Sequence, residues 1–247
     1  MTFPNSTWMT EEHRLLADTA RRFFEAELLP HRQRWREQGI ADRQFWHKAG
    51  DAGLLGASVP EQWGGAGGNF AHDAVILTEQ ARTGDTSWGF SVHNITTHYL
   101  LTFGTEEQKT KWLPRLVTGE MVAAIAMSEP GTGSDLQNIA TTAVRDGDDY
   151  LVSGQKIFIT NGQCADVICT VVKTDRDKGA KGVSLVMVET ANSPGFERGR
   201  KLVKLGLKGQ DTSALFFDSA RVPAANLLGE VEGRGFYQLM AQLPWER

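Results

Sequence analysis

Two runs settle how this chain is built: Ala126-Met-Ser-Glu-Pro-Gly-Thr-Gly-Ser-Asp135 and, further on, Gly154-Gln-Lys-Ile-Phe-Ile-Thr-Asn-Gly162. Residues 122–127 are apolar and read as a strand that runs into Ser128, an acid, a proline and two glycines around Thr132. Pro130 presets one φ angle. Gly131 and Gly133 carry no Cβ, so backbone N–H groups in this loop can come close to a bound group. The second run alternates as a strand and closes on a hydroxyl and a turn, Thr160-Asn161-Gly162. Two strand ends offering hydroxyls, amides and an aromatic ring, Phe158, make a seat for a flat, polar-edged ring with phosphates attached.

Working outward, the hydrophobic period changes at about Met121. Before it the pattern is helical. Thr10 is placed as an N-cap, with Glu11 and Glu12 in the first turn and Leu15, Leu16, Ala20, Phe23, Phe24 and Leu28 at helical spacing until Pro30 kinks or ends the run. Further helices are expected over residues 43–52, 70–83, 87–103 and 106–118. After Met121 short Val-, Ile-, Thr- and Phe-rich strands follow at 151–153, 155–160, 166–174, 183–190 and 214–218. They are divided by the turn signals Gly147-Asp148, Lys178-Gly179 and Pro194-Gly195. With few helices between them, an antiparallel barrel or sandwich is expected rather than a doubly wound parallel sheet.

The expected organisation is therefore an all-α domain over residues 1–121, a β domain over 122–232, and the start of a C-terminal helical domain at 233–247. In that last stretch Phe236, Leu239, Met240 and Leu243 are spaced as a helix that is still running, uncapped, at Arg247. On this reading the chain is a truncated part of a longer protein.

Composition narrows the function classes. With 247 residues, 40% of them hydrophobic and 23% charged, the chain can bury a sizeable core. A net charge of -4 with scattered Lys and Arg provides no basic field for nucleic acid. No apolar run has the length of a membrane span. The first residues lack a basic start and an apolar core, from which a cytoplasmic location is expected. Cys164 and Cys169 have neither CxxC spacing nor neighbouring histidines and read as reduced, buried thiols on a strand. The six histidines show no HExxH pattern, so no metal is expected. There is no GxSxG, and Trp63-Gly-Gly-Ala-Gly-Gly68 fits neither phosphate-loop nor dinucleotide spacing.

The paired runs closely resemble the flavin-binding signature of the acyl-CoA dehydrogenases. The likeness extends to Glu11-Glu-His-Arg-Leu-Leu16, Pro60-Glu-Gln-Trp-Gly-Gly65, Gly104-Thr-Glu-Glu-Gln-Lys109, Lys204-Leu-Gly-Leu-Lys208, Val222-Pro223 and Gly235-Phe236. It implies FAD-dependent α,β-dehydrogenation of an acyl-CoA thioester. Electron-transfer flavoprotein would be the acceptor, and the full-length form would be a homodimer or homotetramer. An acyl-CoA oxidase, another flavin enzyme on the same scaffold, or a non-catalytic module that binds acyl-CoA or a partner are the alternatives.

The same resemblance implies site residues. Ile125, Ala126, Met127, Ser128, Glu129, Pro130, Gly131, Thr132, Gly133 and Ser134 would line the flavin ring and pyrophosphate. Phe158, where many relatives carry tryptophan, Ile159 and Thr160 would cover the rest. Ser134, Lys181, Tyr237, Pro244, Trp245, Glu246 and Arg247 would touch the acyl-CoA. In the long-chain and isovaleryl branch the base is a Glu directly before an Arg at the start of the C-terminal domain. Leu243-Pro-Trp-Glu-Arg247 matches that pattern, so Glu246 would take the α-proton. Each role has a plainer counterpart. Ser128 and Thr160 could satisfy strand-end backbone groups, Lys181 could be a solvated charge, and Glu246-Arg247 could be surface decoration. In most of the family the base is a Glu later in the C-terminal domain. Glu129 reads as structural.

Overall fold

The computed structural model describes residues 7–246. Thr10 opens the first helix, α1 (Glu11–Phe23): its Oγ1 accepts the His13 N–H, and His13 Nδ1 accepts the Thr10 N–H at 3.2 Å. Histidine thus fills the place that Glu or Gln takes in a capping box. Around Pro30 the helix loosens into a π turn (Phe24–Leu28) and a 3-10 turn (Leu29–His31). It then resumes as α2 (Arg32–Gln38), which Gly39 closes at φ 69°. Helices α3 (Arg43–Asp51), α4 (Phe70–Arg82), α5 (Phe90–Phe103) and α6 (Glu106–Val117) follow. Thr105 and Gln108 form the capping box of α6. Trp35, Phe45, Trp46, Trp88 and Phe90 fill the centre of this helical half. Leu15, placed at a core position by its spacing, lies exposed on α1.

The second half is one curled sheet of seven strands: β1 (Ala123–Ala126), β2 (Thr142–Asp146), β3 (Asp149–Thr160), β4 (Val167–Lys173), β5 (Val183–Glu189), β6 (Phe196–Lys201) and β7 (Thr212–Pro223). Their order is β1-β4-β2-β3-β7-β6, with β5 on the other edge of β4. The pairings are antiparallel except that β1 runs parallel to β4, with a single parallel rung between β2 and β4. The chain travels from β1 through a long loop and two further strands before returning, which allows that orientation. β2 and β6 escape the sequence pattern. β6 reads Phe-Glu-Arg-Gly-Arg-Lys, a charged edge strand with no apolar alternation. The two segments expected at 151–153 and 155–160 are one strand. Cys169 lies fully buried on β4, whereas Cys164 falls in a turn and is half-buried.

β4 and β5 are apolar along their length because both faces are covered. Val167, Cys169, Val171, Leu185 and Met187 pack with Tyr99, Trp112 and Leu116 of the helices. The alternate residues Ile168, Val172, Val186 and Val188 pack inside the curl with Tyr150, Val152 and Leu215. The first of these cores is thus shared between helices and sheet. Arg43 clamps the same junction by donating to the Glu120 and Cys164 carbonyls and pairing with Asp166 at 2.6 Å. A last helix, α7 (Gly235–Glu246), folds back on α5, where Gln242 Nε2 donates to Thr102 Oγ1 at 2.8 Å.

Candidate active site

The loop after β1 is held from within. The Glu129 N–H donates to Thr132 O at 2.8 Å and the Thr132 N–H returns to Glu129 O at 3.1 Å, with Pro130 and Gly131 at the corner. The buried Glu129 carboxylate accepts from the Ala140 N–H (2.6 Å), the Thr141 N–H (3.0 Å) and Lys156 Nζ (2.8 Å). Lys156, completely buried, also donates to Met127 O at 3.0 Å. Burial pushes the Glu129 carboxyl upward. The adjacent ammonium and the donors from Thr141 and Ala140 outweigh it and hold the group below its ordinary value. Burial pushes Lys156 down to about 8, against the pull of Glu129. Glu129 is thereby a staple turned inward, with its acceptors engaged, and is no free base.

With its anchor inside, the loop presents backbone outward. Gly131 and Gly133 are exposed and have open space where a Cβ would stand. Beside it lies a cleft of about 590 Å³, walled by Pro130, Gly131 and Thr132 on one side and Gly154, Gln155, Phe216 and Asp218 on the other.

The end of β3 meets this loop directly, since the Ile157 N–H donates to Ser128 O at 2.9 Å. Between Lys156 and Ile159 the strand carries one residue more than β7 does between Leu215 and Ser213, a β-bulge. Phe158 sits in that bulge at φ 61°, a conformation unusual for an aromatic residue, and its ring is 67% exposed. The side chains of Ile159 and Ala126 point into the sheet core, so only their backbones are available to a ligand. Thr160 is half-buried and pairs with Thr212. Asn161, at φ 62°, donates to Gly89 O (3.0 Å) and Ala123 O (3.1 Å), tying the end of β3 to the starts of α5 and β1. Ile125, Met127 and Ser128 are half-buried along the approach.

The last turn of α7 brings an acid to α5. Tyr99 on α5 donates its hydroxyl to Glu246 Oε1 at 2.5 Å. Burial, reinforced by Glu246, drives the Tyr99 phenol far above its usual range. Burial and then the Glu246 charge push the Cys169 thiol up to about 12. Cys169 is the register partner of Ile125 on the strand that leads into Ser128. Trp245 lies on the His98 ring, with centroids 3.7 Å apart, and edge-on to Phe70 at 5.2 Å. His98 Nε2 in turn meets Ser58 Oγ at 2.8 Å and Asp73 Oδ2 at 3.6 Å. Pro244 is exposed on the same turn, and Arg247 lies outside the described residues.

The remaining residues expected to touch substrate are exposed. Lys181 is exposed in the Arg176–Gly182 turn, which packs on both the Leu136–Asn138 turn and α7. Its carbonyl presses on Gly233, where a Cβ would come within 2.2 Å. Tyr237 is 61% exposed with the Arg234 guanidinium 4.9 Å above its ring, and Ser134 is exposed on the glycine loop. Sequence reasoning missed Tyr99, His98 and Lys156. All three sit in helical or strand periodicity as ordinary core or surface positions, and only their partners across the fold mark them. Among the described residues no three His, Cys, Asp or Glu side chains are grouped to hold a metal ion, and no helix is long and apolar enough to cross a membrane.

Comparison with known proteins gives a consistent picture. The acyl-CoA dehydrogenase N-terminal domain model matches residues 10–120 and the acyl-CoA dehydrogenase middle domain model residues 124–220. The chain is 45% identical over 241 residues to the mitochondrial long-chain specific acyl-CoA dehydrogenase of Sus scrofa, covering 96% of this chain and 56% of that protein. The crystal structure of acyl-CoA dehydrogenase from Geobacillus kaustophilus superposes with a TM-score of 0.94 at 51% identity, covering 98% of this chain and 64% of that one. The structure of acyl-CoA dehydrogenase complexed with FAD from Bacillus anthracis gives 0.89 at 34% identity, covering 97% and 41%. The chain therefore spans little more than half the length of the curated long-chain relatives. Those relatives, from pig, mouse and rat, are named mitochondrial, which overturns the cytoplasmic location expected from the first residues. That expectation rested on a missing signal, and a missing signal carries no address.

Proposed function

The chain belongs to the acyl-CoA dehydrogenase family, of which it carries the N-terminal and middle domains, and from that premise we propose that its parent protein is an FAD-dependent acyl-CoA dehydrogenase with Glu246 as base. The observation that carries this reading is the convergence of three elements. The glycine loop and the end of β3 lie side by side at Ser128 and Ile157, and α7 brings Glu246 to the hydroxyl of Tyr99, which shares its core with Cys169, the register partner of Ile125.

The residues present fit the cofactor. The bulge turns Phe158 outward as a stacking face, Gly131 and Gly133 leave room for close backbone approach, and Ser128 and Thr160 supply hydroxyls at the two strand ends. When bound, FAD supplies the hydride acceptor that no side chain can provide. The thioester carbonyl acidifies the α-C–H, and the Glu246 carboxylate takes that proton. The electron pair released at Cα closes the new double bond as hydride leaves Cβ, giving the trans-2-enoyl-CoA. Lys181, Tyr237 and Ser134 would meet the polar part of the acyl-CoA, and Pro244 and Trp245 the acyl part. Electron-transfer flavoprotein is the proposed acceptor, and a homodimer or homotetramer the proposed assembly. The exposed row Val203, Leu205 and Leu207 supports a covered face in that assembly.

The test uses the intact protein loaded with FAD. Its visible spectrum is recorded anaerobically before and after adding butanoyl-, octanoyl-, hexadecanoyl- and 3-methylbutanoyl-CoA. Bleaching of the oxidised-flavin band by one of them, reduced at least a thousandfold in rate by Glu246→Gln, is the expected outcome. A flavin band that none of them bleaches would sink the dehydrogenase reading.

A further inference from the structure

We infer that Tyr99 is a positioning residue for the base, its hydroxyl fixing the Glu246 carboxylate by a short hydrogen bond from α5. The inference rests on the reading of Glu246 as the proton acceptor. Tyr99 is 0% exposed and belongs to the core that also holds Leu100, Leu116, Val171 and Leu185, a close-packed setting that restricts its ring. Its hydroxyl lies 2.5 Å from Glu246 Oε1, and across such a distance a phenol donates to a carboxylate as a charge-assisted bond. Glu246 ends a helix whose last turn has no other side-chain hydrogen bond to α5 beyond Gln242–Thr102 and the Trp245–His98 contact. One carboxylate oxygen is thus held by Tyr99; in the proposed reaction the other would take the α-proton.

A base must be ionised before it can act. A hydrogen bond donated to a carboxylate favours its charged form. The Tyr99 hydroxyl supplies that donor and adds no competing charge, because the phenol stays neutral. The groups facing Glu246 are consistent with this role. From α5 come Tyr99 and, through Trp245, His98; from β4 comes Cys169, neutral because burial lifts its thiol. β5 presents no titratable side chain before Glu189, which is engaged by Lys111 at 2.5 Å. The Arg176–Gly182 turn carries Arg176, Asp177, Lys178 and Lys181, but meets α7 at its Gly233–Gly235 end, roughly three turns from Glu246. Among the described residues, the side-chain donor to the base is thus a hydroxyl.

The experiment compares the intact FAD-loaded parent with Tyr99→Phe, Glu246→Gln and the double variant, using the acyl-CoA that reduces the parent fastest. The expected result for Tyr99→Phe is a shift of the acidic limb of the kcat–pH profile to higher pH by roughly one unit. Well down that limb this is about a tenfold fall in kcat, with KM within twofold and the melting temperature little changed. A second readout is independent of hydride transfer: exchange of the α-hydrogen with D2O in a 3-thia acyl-CoA of the same length, which has sulfur in place of the β-carbon. That exchange should fall in parallel in Tyr99→Phe and vanish in Glu246→Gln, and in the double variant the loss of the hydroxyl should have no further effect. Replacing Tyr99 with 3,5-difluorotyrosine keeps the ring and strengthens the donor, so the limb should move the opposite way, to lower pH. Should Tyr99→Phe keep the parent's pH profile and exchange rate while Glu246→Gln loses both, the positioning role is overturned and the base stands. Should Glu246→Gln keep full exchange, the assignment of the base fails first and this inference with it.

Discussion

Glu129 and Lys156 form an ion pair almost out of reach of water, and it decides the shape of the loop that precedes the glycines. The pair is not itself a large net source of stability, since both charges give up their hydration. It acts through its geometry, because the carboxylate gathers the Ala140 and Thr141 N–H groups and Lys156 into one knot. Because the folded carboxyl titrates below the ordinary 4.5, its contribution is fully present above that pH and fades as the pH falls through the folded value. Glu129→Gln should therefore lower the unfolding free energy at pH 7 by about 3 kcal/mol as Lys156 is left unpaired, and should flatten the loss of stability as the pH falls below 4.5. Urea titrations stepped through that range check both parts. Glu129 was legible as structural from its place beside the motif. Its partner was not, because strand alternation with Ile157 and Ile159 inward puts Lys156 on the surface.

At the scale of elements the bulge in β3 is the decisive feature. Lys156 and Ile159 are both buried although three positions apart, which a regular strand with period two cannot achieve. The extra residue, Phe158, is expelled to the outside in a left-handed conformation, at a cost of about 1–3 kcal/mol held elsewhere in the sheet. Since the ring is two-thirds exposed, Phe158→Ala should leave the melting temperature of the apoprotein nearly unchanged. The same variant should weaken FAD binding about three- to tenfold, the weight of one aromatic stack, as read by flavin absorbance titration. Phe158→Trp should keep the affinity. An unchanged dissociation constant in the alanine variant would remove Phe158 from the flavin seat. The helices of the first half were readable because capping signals and period are local. The edge strand β6 and the strand β2 were not, since their identity comes from pairing with β7 and β3.

Across the whole molecule, helices and sheet share one core, and Arg43 and Asn161 bridge the seam. A shared core implies a single cooperative transition. Arg43→Ala removes two charge-assisted bonds to carbonyls and a half-exposed ion pair, and should cost about 2 kcal/mol with the urea m-value unchanged. A split into two transitions, seen by comparing tryptophan fluorescence with far-ultraviolet circular dichroism, would show the seam to be the weak point instead. The same seam explains why the proposed site is composite: Ser128 and Phe158 come from the sheet, Tyr99 from the helices, and Glu246 from the helix that returns to α5.

The sequence by itself determined what is local: the helical half, the change to strands near Met121, the glycine loop and the strand end that carry the flavin signature, and the Glu-Arg pair at the end of α7. Those follow from periodicity, φ preferences and short motifs, which act over a few residues. Only the tertiary structure decided that β1 lies parallel to β4, that Lys156 is inside and Phe158 outside, and that the Tyr99 hydroxyl meets Glu246. Each of these joins residues far apart in the chain, and their energies arise from burial and hydrogen bonding that no neighbour in sequence can supply.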